Sequence, residues 1–265
     1  MLLENKVIWL TGASSGIGEA LAYELSRKGA KLILSARRKQ ELERVKGNCS
    51  STSQAGVRIL PLDLEKAGML ELSTEAAIQI FGHIDILINN GGISQRSLVA
   101  KTDLAVDRRI MEVNYFGALA LTKYLLPHFI QRKQGHFVTV TSLTGKFGTP
   151  YRSAYAASKH ALHGFFDAVR AEHYKDNINV TMICPGFIQT SLTLSALTAD
   201  GSPLNKMDAK QYKGKPADWC ARKITSAIEK NKEEVYIGGR EVFGVYIKRF
   251  FPALFSKIIR NVAVR

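Results

Sequence analysis

Residues 7–10, Val7-Ile8-Trp9-Leu10, form an apolar run that stops at a loop with glycine at 12, 16 and 18, and helical spacing begins just beyond. That order, strand then glycine loop then helix, is repeated in coarser form along the chain. Short apolar runs at 31–35, 57–62, 84–88, 136–141, 180–183 and 234–237 read as further strands. Between them, 19–28, 40–46, 65–81, 107–131, 153–174 and 217–230 carry helical spacing. Strands that alternate with helices predict an α/β fold: a doubly wound parallel sheet of about seven strands with helices on both faces, in three α/β/α layers. No linker, repeat or low-complexity tract interrupts it, so residues 1–240 read as one domain, including a candidate lid at 191–216, and 241–265 as its tail.

The bulk numbers remove some function classes. Cys49, Cys184 and Cys220 are far apart and odd in number, which fits neither a disulfide framework nor a metal site. A reducing cytoplasm is the expected compartment. Residues 1–6 lead directly into the first strand without signal-peptide order, and no stretch reads as long and apolar enough to span a bilayer. The net charge of +14 predicts a surface that attracts anions, or simply a solvated basic one. No nucleic-acid recognition motif accompanies it, so no nucleic-acid partner is expected.

In parallel sheets of this kind ligands bind beyond the carboxyl ends of the strands, where every polar motif here falls. Gly12, Ser14, Ser15, Gly16, Ile17 and Gly18 occupy the first such end, and the helix start beyond them favours a phosphate. The Gly-Lys-Ser/Thr ending of a nucleoside-triphosphate loop is missing. At the end of the second strand Ala36 stands where a ribose-binding acid would be, followed by Arg37 and Arg38. A guanidinium suits a 2′-phosphate and the acid is absent, so NADP(H) is expected over NAD(H), the lesser alternative being two arginines that merely face solvent at a helix entrance. Asp63, followed by Leu64, could accept a bond from an adenine amino group or cap the next helix.

Tyr155 and Lys159 are four residues apart and share a helix face. A cation there would favour the phenolate and make the phenol a better acid. Asn114 and Ser142 precede them. Together with the glycine loop and Asn89-Asn90-Gly91-Gly92, these four residues closely resemble the short-chain dehydrogenase/reductase family in its compact single-domain, Rossmann-type form, over roughly residues 5–240. The resemblance implies an oxidoreductase that interconverts a carbonyl and an alcohol, with Tyr155 as general acid or base and Lys159 lowering its pKa and holding the nicotinamide ribose hydroxyls. Ser142 would bind the substrate oxygen and Asn114 would fix a water that links Lys159 to solvent. Asn90 would lie against the cofactor, and Pro185, Gly186, Ile188 and Thr190 would hold the nicotinamide. Two departures stand out: Gly91 replaces the family's usual alanine, and Ser15 stands where many NADP-using members carry a basic residue.

The tail repeats apolar pairs every four residues from Val242-Phe243 to Ile258-Ile259, with Lys248, Arg249, Lys257 and Arg260 interleaved and Pro252 as the expected break. It resembles the tail of the dehydrogenase/reductase member 7B group, whose membrane-anchoring N-terminus is not expected in this chain. It could pack on the core or on a second subunit of a homodimer or homotetramer, line an apolar substrate pocket, or lie on an anionic membrane surface. The family resemblance points to an apolar, lipid-, steroid- or retinoid-like carbonyl substrate. The competing readings are a non-catalytic nucleotide sensor, a membrane-surface protein acting through the basic tail, and another chemistry on the same fold.

Overall fold

A computed structural model describes residues 1–51, 54–260 and 262, the side chains of 209 and 210 excepted; residues 261 and 263–265 of the expected tail lie outside it. Among the described residues seven parallel strands form one sheet: β1 (Val7–Thr11), β2 (Lys31–Ser35), β3 (Val57–Ile59), β4 (Ile86–Asn89), β5 (Gly135–Val140), β6 (Ile178–Pro185) and β7 (Glu234–Ile237). Their order is β3-β2-β1-β4-β5-β6-β7. The chain therefore reverses direction across the sheet between β1 and β4, and the crevice at such a switch point is where ligands bind.

Alternation along the strands sorts the core into two layers. Ile8 and Leu10 point to the side packed by α1 (Gly16–Arg27) and α2 (Lys39–Gly47). Val7 and Trp9 point to the other, against α3 (Leu70–Phe81). Since both faces are covered, the strands can be apolar throughout. Next come α4 (Leu104–Met111), α5 (Gly117–Arg132) and α6 (Ser153–Glu172), with Leu121, Leu125, Phe129, Leu162 and Phe166 filling the second layer. A short α7 (Ala209–Tyr212) lies in the lid, and α8 (Ala217–Glu229) returns to the first layer through Cys220, Ile224 and Ile228. The tail forms α9 (Phe243–Phe250) and α10 (Pro252–Arg260).

Two expectations change. The helix expected at 107–131 begins earlier and is not uniform: a π-helical turn, Glu112–Phe116, separates α4 from α5. Such a turn holds an extra residue and re-aims side chains, and this one carries Asn114. The helix expected at 65–81 starts only at Leu70, because the Asp63 carboxylate accepts from Glu65 N–H (3.1 Å) and organises a separate turn first. Pro252 does divide the tail. α9 and α10 pack on the domain through Val245 and Phe255, with the Phe255 ring 5.0 Å from that of Phe147. No described helix is long and apolar enough to cross a membrane.

Candidate active site

The glycine loop is fastened to the end of β4. Thr11 Oγ1 accepts from the N–H groups of Asn90 and Gly91 (both 3.0 Å) and donates to Ile88 O (3.2 Å). Asn90 Nδ2 donates to Thr11 O (3.0 Å) and Gly12 O (3.3 Å). Gly12 adopts φ +65°, a conformation that L side chains avoid. A Cβ on Gly18 would lie 2.1 Å from Gly12 O, so Gly18 is required by the loop's own packing. A Cβ on Gly91 would press on the movable end of Leu64 (2.7 Å) and otherwise make ordinary contacts with Thr11 Oγ1 (3.4 Å) and Gly12 N (3.5 Å), consistent with a small residue of either kind there.

This loop opens into a cleft of about 570 Å³ at the switch point. Gly12, Ser14, Ser15, Gly16, Ile17, Arg37, Arg38, Asp63, Leu64 and Asn90 line one part of it. Ser142, Tyr155, Lys159, Pro185, Gly186, Ile188 and Thr190 line the rest. Gly18 and Asn114 are not on its wall. The cleft's size, a glycine loop that admits close approach of a ligand and two exposed arginines at the end of β2 fit a dinucleotide.

Tyr155 and Lys159 are buried on the first two turns of α6. Ser142 Oγ accepts from Thr144 N–H (3.2 Å) and donates to Pro185 O (3.4 Å), and its hydroxyl favours ionisation of the Tyr155 phenol. Lys159 Nζ donates to Val140 O (2.9 Å) and lies 5.8 Å from the Tyr155 ring centre. Burial pushes the Lys159 ammonium down to about 8. Burial pushes the Tyr155 phenol upward, and the groups that oppose it are Arg152, Ser142 and Arg96, in that order. The spacing does bring the Lys159 ammonium to the Tyr155 ring, and Arg152 and Arg96 add positive charge that acts on the same phenol.

Asn114 is buried and engaged on three sides. Its Oδ1 accepts from Ile93 N–H (2.8 Å), and its Nδ2 donates to Ile93 O (3.0 Å) and Ser158 Oγ (3.0 Å). A Cβ on Gly92 would lie 3.0 Å from Asn114 Oδ1 and 3.6 Å from Lys159 Nζ, so the two polar atoms flank the same small space.

The lid expected at 191–216 is tied down rather than loose. Leu197 exchanges backbone bonds with the loop after β4: Leu197 N–H to Ser94 O and Arg96 N–H to Leu197 O, each 2.8 Å. Gln211 Nε2 donates to Thr190 Oγ1 (2.7 Å). Asp208 is held by Arg96 (3.5 Å) and Arg152 (3.2 Å). Sequence reasoning missed these three. Arg152, three residues before Tyr155, was the available signal.

Behind the cleft, His163 lies 3.7 Å from Cys184 Sγ through Nε2 and 3.4 Å from Glu234 through Nδ1. Glu234 is already paired with Lys146 (2.6 Å), and burial pushes the Cys184 thiol up to about 12. The cluster is thus a run of pairwise contacts beneath the tail.

A family model described as short chain dehydrogenase matches residues 6–200. Mouse dehydrogenase/reductase SDR family member 7B is 41% identical over 98% of this chain and 82% of its own length. Human member 7 is 43% identical over 94% of this chain and 75% of its own. Two solved structures share the fold. A short-chain dehydrogenase/reductase from Burkholderia phymatum in complex with NAD aligns with TM-score 0.84 at 20% identity, over 96% of both chains. An alcohol dehydrogenase from Thermococcus sibiricus complexed with 5-hydroxy-NADP aligns with TM-score 0.75 at 24% identity, over 89% of this chain and 97% of its own. Built on the glycine loop, the β1/β4 crevice and the Ser142–Tyr155–Lys159 group, this chain belongs to the short-chain dehydrogenase/reductase family of oxidoreductases.

Proposed function

We propose that the protein is an NADP(H)-dependent carbonyl reductase, or alcohol dehydrogenase in the reverse direction, acting on an apolar ketone, aldehyde or alcohol. The observation that carries this reading is that Ser142, Tyr155 and Lys159 line the same cleft as the glycine loop. The backbone of residues 12–18 would cradle the pyrophosphate. Arg37 and Arg38 would take the 2′-phosphate: both are exposed at the cleft, and neither forms a described ion pair. Asp63 and Leu64 would hold the adenine, and Asn90, Pro185, Gly186, Ile188 and Thr190 the nicotinamide half. When bound, the nicotinamide supplies or accepts the hydride.

In reduction Tyr155 Oη gives its proton to the substrate oxygen, and in oxidation it takes it back. Ser142 Oγ donates to that same oxygen and stabilises the charge that develops there. Lys159 would hold the nicotinamide ribose. A water held between its Nζ and Asn114 Oδ1, which flank the same space beside Gly92, would carry protons onward. Leu192, Leu194, Leu197, Ile93 and Val113 give the substrate end its apolar walls, which favours an apolar substrate.

The test is NADPH consumption against a panel of apolar ketones and aldehydes, with NADH in parallel. Turnover with NADPH preferred at least tenfold is expected, since each charge-assisted contact to a phosphate is worth ~1.5 kcal/mol or more. A strong NADH preference would overturn the role given to Arg37 and Arg38. Nucleotide binding without turnover on any substrate would favour the sensor reading.

We also propose that the outer face of the tail meets an anionic lipid surface. Phe243, Tyr246, Phe250, Phe251, Leu254 and Ile258 are all exposed there, among Lys248, Arg249, Lys257 and Arg260. Vesicle flotation of intact and tail-truncated protein decides it: only the intact protein should float, and failure of both would reject the idea.

A further inference from the structure

Arg96, Arg152 and Asp208 come from three separate parts of the chain: the loop after β4, the residue that precedes α6, and the lid. All three are almost entirely buried, with Asp208 2% exposed. Both arginines reach the same carboxylate oxygen, Asp208 Oδ2. Arg96 is further fixed by donating to Ser94 Oγ (2.9 Å) and Gln95 O (2.7 Å). Gln95 Oε1 accepts from Ala154 N–H (2.9 Å), one residue before Tyr155, so this loop is clamped onto the first turn of α6. The Nε atoms of both arginines are buried without a hydrogen-bond partner.

Among the described residues two guanidiniums face one carboxylate, which leaves net positive charge in a water-poor setting. Arg96 is pushed by burial, and next by Arg152, down to about 10, which still leaves it cationic at neutral pH. A structural latch for the lid would need one arginine. The second costs desolvation and repulsion, which a purely structural account leaves unexplained.

The other charges around the phenol do not cancel this one. Among the described residues, Arg152 immediately precedes α6 and Lys159 lies on it, while His160 on the same helix bonds Ala156 O and His163 faces Cys184 and Glu234. From the turn after β5 comes the neutral Ser142 hydroxyl, and from β6 the Cys184 thiol, kept protonated by burial. Lys146 is paired with Glu234. On α4, which packs on the same helix, Arg109 is paired with Glu65 (3.2 Å), and Asp107 and Arg108 complete its charges.

We infer that Arg96 and Arg152 are positioning residues for proton transfer at Tyr155: clamped to the first turn of its helix and only half compensated by the lid's Asp208, they hold a positive potential that favours the phenolate. This rests on the reading of Tyr155 as acid and base given above. Asp208 then couples the two tasks, because the contact that fastens the lid also moderates that potential.

The pH profile of NADP⁺-dependent alcohol oxidation tests it, since the base form of Tyr155 limits the rising limb. In Arg96→Gln and Arg152→Gln the limb moves to higher pH. The rate on the limb falls roughly tenfold, as expected for loss of one nearby opposite charge, and recovers on the alkaline plateau. Arg96→Lys and Arg152→Lys keep the limb near its original place. Asp208→Asn moves it to lower pH, which covers the case in which a glutamine variant fails to fold. A uniform loss at all pH values, or equal shifts in the lysine and glutamine variants, would overturn the inference. Tyrosinate absorbance, with Tyr155→Phe subtracted, reads the same acidity without substrate. Unchanged titration in the glutamine variants would sink the inference even if turnover is found, and a shifted titration would sustain it even if no substrate is turned over.

Discussion

Replacing Phe255 by alanine should release the tail from the domain. Phe255 is 6% exposed and shares a small cluster with Leu143, Phe147, Cys184 and Val245. Truncating a buried phenylalanine costs about 3–5 kcal/mol, and a peripheral cluster that can partly collapse belongs at the lower end, ~3 kcal/mol. The start of the tail has a second anchor, because Glu241 Oε1 accepts from Phe187 N–H (3.1 Å) and Gly239 N–H (3.0 Å). α10 has no such bond among the described residues, so the loss falls mainly on it. At ~1.4 kcal/mol per factor of ten, its undocked population rises by about two orders of magnitude. Proteolysis of a transiently open segment follows that population. Tryptic cleavage after Lys257 should therefore accelerate roughly a hundredfold in Phe255→Ala. Phe250→Ala, at a side chain 69% exposed, should leave cleavage unchanged. Because Leu143 follows Ser142 and Cys184 precedes Pro185, turnover should also drop. A Phe255→Ala protein cleaved within about threefold of the parent rate would refute the packing argument.

Other outcomes follow from the same geometry. Arg37→Ala and Arg38→Ala should each weaken NADPH binding about tenfold and leave NADH binding nearly unchanged, as read by nucleotide fluorescence titration. Gly18→Ala forces a Cβ against a backbone oxygen, and should cost about 1–3 kcal/mol by chemical denaturation together with nucleotide affinity. Asp85, at the opposite end of the sheet, sets an acid limit. Burial works against its ionisation, but Val7 N–H (3.0 Å), Arg132 (3.0 Å), Lys6 and His83 prevail and hold the carboxyl below the usual aspartate range. Such a group's stabilisation is complete above its unfolded pKa, near 3.9, and is lost as pH falls through the lower folded value. Melting temperature in Asp85→Asn should thus be lower at neutral pH and fall less steeply in acid.

Much of the architecture was readable in local pattern. Val7-Ile8-Trp9-Leu10 is apolar throughout because both faces of β1 are covered, and Gly12 and Gly18 are dictated by a turn and a close approach within a few residues. The Tyr155–Lys159 spacing was equally visible, but its electrostatics were not. Where Lys159 Nζ points depends on Val140 O, a partner on another strand. The π turn at Asn114 does not show in the periodicity, because a single extra residue barely alters a long apolar stripe. The Arg96–Arg152–Asp208 cluster joins positions 56 residues or more apart, and only the packed lid brings them together. In the tail the pairing of apolar residues was plain, whereas it took the packed structure to show that Phe255 rather than Leu254 turns inward, against Phe147, and that Phe250 and Phe251 both stay exposed.

The account stands or falls on Tyr155 as the proton donor and acceptor. Single-turnover reduction by Tyr155→Phe, with NADPH binding checked separately by fluorescence, tests this directly. Retained nucleotide affinity with the chemical step slowed by at least two orders of magnitude, the usual scale for a lost general acid, is predicted. A variant that binds NADPH and reduces substrate at close to the parent rate would contradict it.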